Sequence, residues 1–399
     1  MYEFPPTLQA AHERLSLVDP KHYAYSRNDL TGAVSYLSPY LTHGFLSVPD
    51  VASVMYHRHR LGLQHKFMME LGWREYYQHV HQHLGEAGIV ASLHEGVLPE
   101  SAYHTKLPDD VRHACTRVPV IDQAVSTLYA SGYLHNHARL WLASYLVHLR
   151  KVHWRVAADW LYGHLLDGDL ASNYLSWQWV AGTGSNKPYL FNADNVEKFA
   201  PSPWHSPGTL LDTSYETLDI LAHNPATVTQ AGDRNDAGLD EPLVYSAPPE
   251  HLGFTAPRAD CVAGRQVWLV HPWALADVPA DVPSDAVVVA ASWAEQTQAH
   301  PWDARRWQFV GDRMAALSSH RWWGSVPEME AVLAQAQTVH TVAHLRLPEM
   351  PKVCWQQRAA PRLFRDLDKP CDSFSKWWVQ VNKGVRHLQQ LVYPIAPKV

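Results

Sequence analysis

The chain has 399 residues, 46% of them hydrophobic and 18% charged, which excludes a disordered polyelectrolyte and leaves room for two or three domains. A net charge of −6 excludes a globally basic binder of nucleic acid or membrane, although a local basic groove stays open because steering fields are local. The 17 tryptophans suit either a large helical core or surfaces that stack on flat ligands.

The N-terminus, "MYEFPPTLQAAHERL", lacks the basic flank and apolar run of a signal peptide, and no stretch approaches membrane-spanning length. Cys115, Cys261, Cys354 and Cys371 are scattered without a CxxC pair. They read as reduced thiols in a cytoplasmic protein rather than as a zinc or iron–sulfur site.

From about residue 45 to 180 the hydrophobic period is helical. "HKFMMELGWREYYQHVHQHL" predicts a helix whose stripe of Phe67, Glu70, Trp73, Arg74 and Tyr77 mixes charge with aromatic rings. That mixture suits a cofactor wall better than a dry core, the alternative being a helix turned to solvent. His79, His81 and His83 offer two imidazoles at i, i+4 but no third ligand, so a solvated face is expected and metal is not. "HNHARLWLASYLVHLRK" sets Leu140, Ala143, Ser144 and Val147 on one face. "WRVAADWLYGHLL" does the same with Trp154, Ala157, Ala158, Leu161 and Leu165, with Gly168 as its expected stop.

"DGDLASNYLSWQW" follows, from Asp167 to Trp179. Two acids flanking a glycine can meet one ligand edge from a turn, and so close a pair needs a cation such as Arg139 nearby. Trp177 and Trp179 sit about 200° apart on a helix and so face different neighbours. The stretch reads as a hydrogen-bonding rim for a polar heterocycle beside an aromatic relay.

After Pro201 the Asn/Asp/Gly/Pro-rich texture predicts a long connection. "QVWLVHPW" and "DAVVVAASW" then read as buried strands, while "RRWQFVGDRMAAL" and "VPEMEAVLAQAQTV" read as helices. Trp322, Trp323, Trp377 and Trp378 read as packing anchors, the last two in a tail without clear period. The expected fold is mainly α: an all-helical domain over 1–205, a linker over 206–264 and a smaller α/β-like C-terminal region over 265–399.

Four stretches also carry a resemblance. "SYLSPYLTHGFLS", "ELGWREYY", "GYLHNHAR" and "LLDGDLASNYLSWQW" are similar, in order and at about the same spacing, to motifs of the photolyase/cryptochrome family. They span residues 20 to 200. The resemblance implies a helical domain that holds FAD bent into a U. Tyr23, Ser35, Leu37 and Ser38 match its pyrophosphate segment, which usually reads Gly-Thr-Ser-Arg and here reads Ala33-Val34-Ser35-Tyr36. Phe67 and Arg74 match flavin contacts, Arg139 and Asp167 an ion pair beside the flavin, Asp169 a contact to its polar edge, and Asn173 the residue facing N5.

On the substrate side, Glu70 matches a glutamate that bonds flipped pyrimidines, and Trp73 and Trp179 match the pair that clamps them. Asn136 matches an asparagine of cyclobutane-dimer repairers. Trp177 and Trp154 match the first two positions of an electron relay whose third falls near Val111, with Tyr133, Trp141 or Trp160 as substitutes. The implied activity is that of a deoxyribodipyrimidine photo-lyase acting on dimer-containing DNA, single-stranded or duplex. A cryptochrome-like light sensor and repair of (6-4) photoproducts are the alternatives, and neither a membrane nor a protein partner is implied. Family members usually begin with an α/β antenna domain. Here the flavin region starts almost at once, and the α/β-looking segment behind it reads as packing for the flank rather than as a relocated antenna layer.

Overall fold

The computed structural model describes residues 3–231 and 238–392. Twelve helices lead: α1 (Leu8–Ser16), α2 (Pro20–Ser26), α3 (Ser38–Thr42), α4 (Val48–His59), α5 (Lys66–Ile89) and α6 (Asp109–Arg112). They continue with α7 (Pro119–Ser131), α8 (Asn136–Ser144), α9 (Trp154–His164), α10 (Leu170–Ala181), α11 (Ala193–Phe199) and α12 (Tyr215–His223). α10 is the axle of this bundle, packed against α5, α8 and α9. Its start is fixed by Asp169, whose side chain accepts the Ser172 N–H and fills one of the orphan positions of a helix N-terminus. α8 passes directly into a buried π turn, Tyr145–Leu149, which carries the stripe of Leu140 and Val147 onward.

A parallel sheet of five strands follows, in the spatial order β5 (His320–Gly324), β3 (Val287–Trp293), β2 (Gln266–Val270), β6 (Thr338–Val342), β7 (Trp355–Arg358). The chain winds outward from β2 through β3 to β5, then returns across β2 to β6. A short antiparallel pair, β1 (Val244–Tyr245) with β4 (Trp302–Asp303), lies apart from it. Helices α13 (Ala294–Ala299), α14 (Ala304–Leu317) and α15 (Val326–Leu333) serve the crossovers. β2 and β3 are buried along nearly their whole length, as expected where both sheet faces are covered. Alternation along β2 shows the two sides: Val267 and Leu269 join a core with Met329 and Leu333 of α15. Trp268 and Val270 face the other way, into a core shared with α14 and the helical bundle. The α/β-like region and the helices therefore share one continuous apolar interior.

Three expectations need correction. The stretch expected as a free connection carries α12 and β1, buries Leu211 and Leu218, and is tied down by Lys151. The ammonium of Lys151, itself fully buried, donates to the carbonyls of His148, Leu221 and Ala222. Gly168 does not stop α9, which ends at His164 with Leu165 as cap. His79 and His81 are buried rather than solvated: the C-terminal tail lies over His79, while His81 turns to the opposite side of α5, towards Asp169, Glu86 and Arg346. The Cys371 N–H donates to His79 Nε2, and the Leu367 carbonyl meets His83 Nε2. No cluster of three potential metal ligands occurs among the described residues.

Glu86 of α5 joins the bundle to the sheet region, meeting His300 at 3.1 Å and Arg346 at 3.6 Å. The His300 hydrogen bond, helped by Arg346 and opposed by partial burial, holds its carboxyl down at about 2. A carboxyl lowered on folding stabilises the fold fully above its ordinary value near 4.5 and loses that contribution as pH falls towards 2. The melting temperature of the native chain should therefore fall more steeply below pH 4.5 than that of Glu86→Gln. Parallel thermal melts across this range would detect the difference.

Candidate functional site

The polar groups singled out from the sequence converge where α3, α5, α8 and the turn before α10 meet. Arg139 on α8 reaches Asp167 through Nη2 at 2.9 and 2.8 Å, a charge-assisted contact that answers the crowding of the two acids. Asp169 accepts from Gln78 Nε2 at 3.0 Å and lies 3.8 Å from Arg74. Burial alone would push its carboxyl up, but the Arg74 guanidinium and the Ser172 bonds more than offset this and hold it below the usual range. Arg74 also donates to the Thr42 hydroxyl, which donates to the Asp167 carbonyl, so α5, α3 and the turn are locked together.

Two cavities share this polar knot. The smaller, about 140 Å³, has apolar walls from Leu140, Ala143, Leu161, Leu165 and Val180 and a polar rim from Asn173, Asp167 and Asp169, with Trp177 beside them. Such a slot fits a flat heterocycle with one hydrogen-bonding edge. The larger, about 330 Å³, is lined by Tyr23, Val34, Ser35, Leu37, Phe67 and Glu70. Ser38, Arg74, Asn136, Arg139 and Asp167 border both, so the two lobes bend around the Arg139–Asp167 pair. A molecule with a ring system in one lobe and a sugar-phosphate arm in the other, folded at the middle, matches this shape and donor set.

Glu70 meets Arg27, the residue that caps the end of α2, at 3.4 Å, and burial raises its pKa with Arg27 opposing. Asn136 opens α8 beside His135, whose ring burial pulls down to about 4 and so keeps neutral. Trp154 is buried, donates to Ser92 and meets Tyr174 edge-on at 6.2 Å. Tyr133 borders the larger cavity, whereas buried Trp141 donates to Asn195 and half-buried Trp160 donates to Glu241. Val111 is fully buried and has no aromatic ring to carry a hole.

The clamp residues depart from expectation. Neither Trp73 nor Trp179 lines either cavity. Trp73 is stacked on Phe374, with ring centres 4.1 Å apart and planes 9° apart. Trp179 is 41% exposed and leans on Tyr189. The cause for Trp73 is the tail helix α16 (Phe374–Val381), which packs onto α5. Gly72 lets it come that close: a Cβ there would sit 2.4 Å from the Trp378 ring.

The sequence reading also missed Arg306 and Arg346. Arg306 of α14 is fully buried, donates to the Gly168 carbonyl at 2.6 Å and lies over the rings of Trp302 and Tyr162. Its Nε and Nη1 have no hydrogen-bond partner among the described residues. Arg346 donates to the Tyr162 hydroxyl at 2.8 Å. Burial would raise the Tyr162 pKa, yet the two guanidiniums outweigh it and lower it. The available signal was the glycine itself. A Cβ on Gly168 would lie 2.6 Å from Arg306 Nη1, so that position is small because a distant arginine passes beside it.

Residues 67–202 match the sequence model for the FAD binding domain of DNA photolyase. A deoxyribodipyrimidine photo-lyase of Streptomyces griseus is 33% identical over 177 residues, which is 41% of this chain and 36% of that protein. A chloroplastic/mitochondrial cryptochrome DASH of Solanum lycopersicum is 31% identical over 172 residues, 42% of this chain and 30% of that protein. The crystal structure of the Synechocystis sp. PCC6803 cryptochrome aligns with a TM-score of 0.44 at 24% identity, covering 50% of this chain and 44% of that one. The chain thus spans little more than a third of the length of the curated photo-lyase it matches. Residues 67–202 are similar to the FAD binding domain of DNA photolyase, within a helical part that resembles proteins of the photolyase/cryptochrome family. FAD is the cofactor, and the two-lobed cleft has the shape and donors to hold it.

Two substitutions test this architecture. Asp167→Asn leaves Arg139 without its carboxylate and should weaken FAD retention at least about tenfold, the equivalent of ~1.4 kcal/mol, in a titration of the flavin-free protein. Gly168→Ala should displace Arg306 and cost about 1–3 kcal/mol, lowering the melting temperature by several degrees.

Proposed function

We propose that this protein repairs cyclobutane pyrimidine dimers in DNA under blue light, as a deoxyribodipyrimidine photo-lyase. One observation carries the reading: Glu70 and Asn136 face the same lobe as the Arg139–Asp167 pair, so groups that can bond a pyrimidine edge stand beside the flavin cleft. The flavin, when bound, supplies the light-driven electron. The chain's own residues hold and orient what surrounds it. Tyr23, Ser35, Leu37, Ser38 and Phe67 line the lobe for the dinucleotide arm, Ser35 and Ser38 offering hydroxyl donors to phosphate. Arg74, Asp169 and Asn173 fix the heterocycle's polar edge, and the amide of Asn173 can bond a ring nitrogen without adding charge.

The raised pKa of Glu70 brings its protonated, donating form within easier reach, which suits a bond to a pyrimidine carbonyl. Trp177 with Trp154 are the first two carriers of an electron relay, whereas Trp73, stacked on Phe374, and Trp179, leaning on Tyr189, clamp a base only after moving from these positions. Single-stranded or frayed DNA is the easier substrate, because extruding a base from it costs less. A cytoplasmic setting fits the four free thiols, and no described helix is long and apolar enough to cross a membrane. A second reading, a cryptochrome-like light sensor, draws on Phe374, which occupies one face of Trp73 where a clamped base would otherwise stack.

Irradiated oligothymidine incubated under blue light separates the readings. The flavin-loaded protein should reverse dimers, and Glu70→Ala should slow reversal about tenfold while leaving flavin absorbance intact, in line with the loss of a single directed hydrogen bond. Absence of reversal on single and double strands alike, with flavin retained, would favour the sensor. Reversal of (6-4) adducts instead of dimers would reassign the substrate.

A further inference from the structure

Away from the flavin cleft, a cavity of about 390 Å³ has Trp154 in its wall, together with Tyr103, His153, Ser92, Glu95 and Glu100. It shares no lining residue with either flavin lobe. Trp154 thus stands between two spaces. Towards α10 it meets Tyr174, one turn before Trp177, which borders the smaller lobe. Towards the cavity it is stacked by His153, with ring centres 5.9 Å apart and planes 30° apart. Tyr103 in turn meets His153 edge-on at 6.3 Å.

Backbone pairing fixes this row of rings. The His104 N–H donates to the Lys151 carbonyl at 2.6 Å, and the His153 N–H donates to the His104 carbonyl at 2.9 Å. The segment that carries Tyr103 therefore runs beside the start of α9. Charge at the cavity favours an electron-deficient indole. Trp154 Nε1–H donates to Ser92 Oγ at 3.0 Å, and Ser92 donates to Glu100 at 2.9 Å. A positive charge left on Trp154 is thus met by a carboxylate through one hydroxyl. Trp154 is only 3% exposed and Val111 is fully buried, so neither gives the relay an outlet to solvent. Tyr103 is half-buried, and its phenol can be oxidised.

We propose that Tyr103 is the terminal carrier of the relay, filling the hole on Trp154 across His153, and that the cavity admits a small thiol to restore it. This role rests on the flavin reading with Trp177 and Trp154 as first carriers, and not on the choice of lesion. One electron leaves Trp177 for the flavin, Trp154 refills Trp177, and Tyr103 refills Trp154. The O–H bond of Tyr103 breaks, its proton passes to solvent at the cavity, and a neutral phenoxyl radical remains. A thiol then gives up the hydrogen atom of its S–H bond to that oxygen, and two thiyl radicals join as a disulfide. His153 supplies packing without changing its redox state, because an imidazole is harder to oxidise than a phenol.

The test uses the full, flavin-loaded chain, frozen under blue light, with electron paramagnetic resonance as readout. Without thiol the native chain should build up a phenoxyl signal, and dithiothreitol should remove it under the same illumination. Tyr103→Phe should lose the signal and accumulate reduced flavin no faster than Trp154→Phe, all compared at equal bound flavin. Tyr103→Trp should restore photoreduction with an indolyl signal in place of the phenoxyl one, which a merely structural role would not produce. It also serves if Tyr103→Phe loses flavin. A phenoxyl signal that survives in Tyr103→Phe, or that vanishes in Tyr174→Phe instead, overturns the assignment to Tyr103. A native signal that dithiothreitol leaves untouched overturns the thiol's access, and a native chain with no phenoxyl signal overturns the terminal carrier. Dimer reversal by native chain with chemically reduced flavin bypasses the relay, so its failure removes the repair reading and leaves Tyr103 in its role.

Discussion

The structure depends on a short turn that carries two negative charges into a buried setting. Asp167 and Asp169, one residue apart, could not both stay ionised there without help. Arg139 and Arg74 approach from the bundle, and Arg306 comes from the far side, under Gly168. Burying a guanidinium costs several kcal/mol unless partners replace its water. Arg306 keeps a carbonyl, two aromatic faces and the field of Asp167, while two of its nitrogens stay without partners. That unfavourable balance is tolerated at the point where the cofactor's polar edge must be met, where a dry salt bridge elsewhere could as well have been replaced by apolar packing.

This turn also explains how far the sequence could be read. The long amphipathic helices and the strands with continuous apolar runs were legible because their periods are set by local geometry. The Arg139–Asp167 pair was legible because an isolated acidic pair calls for a cation. Arg306 was not, since a charged residue within "RRWQFVGDRMAAL" looks like any solvated helix face until the partner surface is known. The same applies to "HVHQH". Spacing alone allowed water or metal, and the actual solution is a tail that returns from nearly three hundred residues away to cap the imidazoles. The stretch after Pro201 misled for the opposite reason: its polar texture is real, but a few buried leucines and one buried lysine suffice to pin it down.

Among the contacts through which the C-terminal part reaches the helical bundle are Arg306 under the acidic turn, Arg346 and His300 at Glu86 of α5, and α16 over Trp73. These contacts touch, respectively, the acidic turn, the helix that carries Arg74, and the ring of Trp73. The α/β-like region packs on the bundle through charged groups as well as apolar ones. Its side chains complete a site whose visible motifs all lie earlier in the chain.

A single apolar interior runs from α5 and α10 through Trp302 and Trp307 to the tail tryptophans. Cutting the polypeptide between bundle and sheet would leave each fragment with a wide greasy face and, in the bundle's case, a pair of acids short of one counter-charge. The cofactor cleft and the sheet are in this sense thermodynamic neighbours, since Arg139 from the bundle and Arg306 from the sheet region hold the same acidic turn from opposite sides.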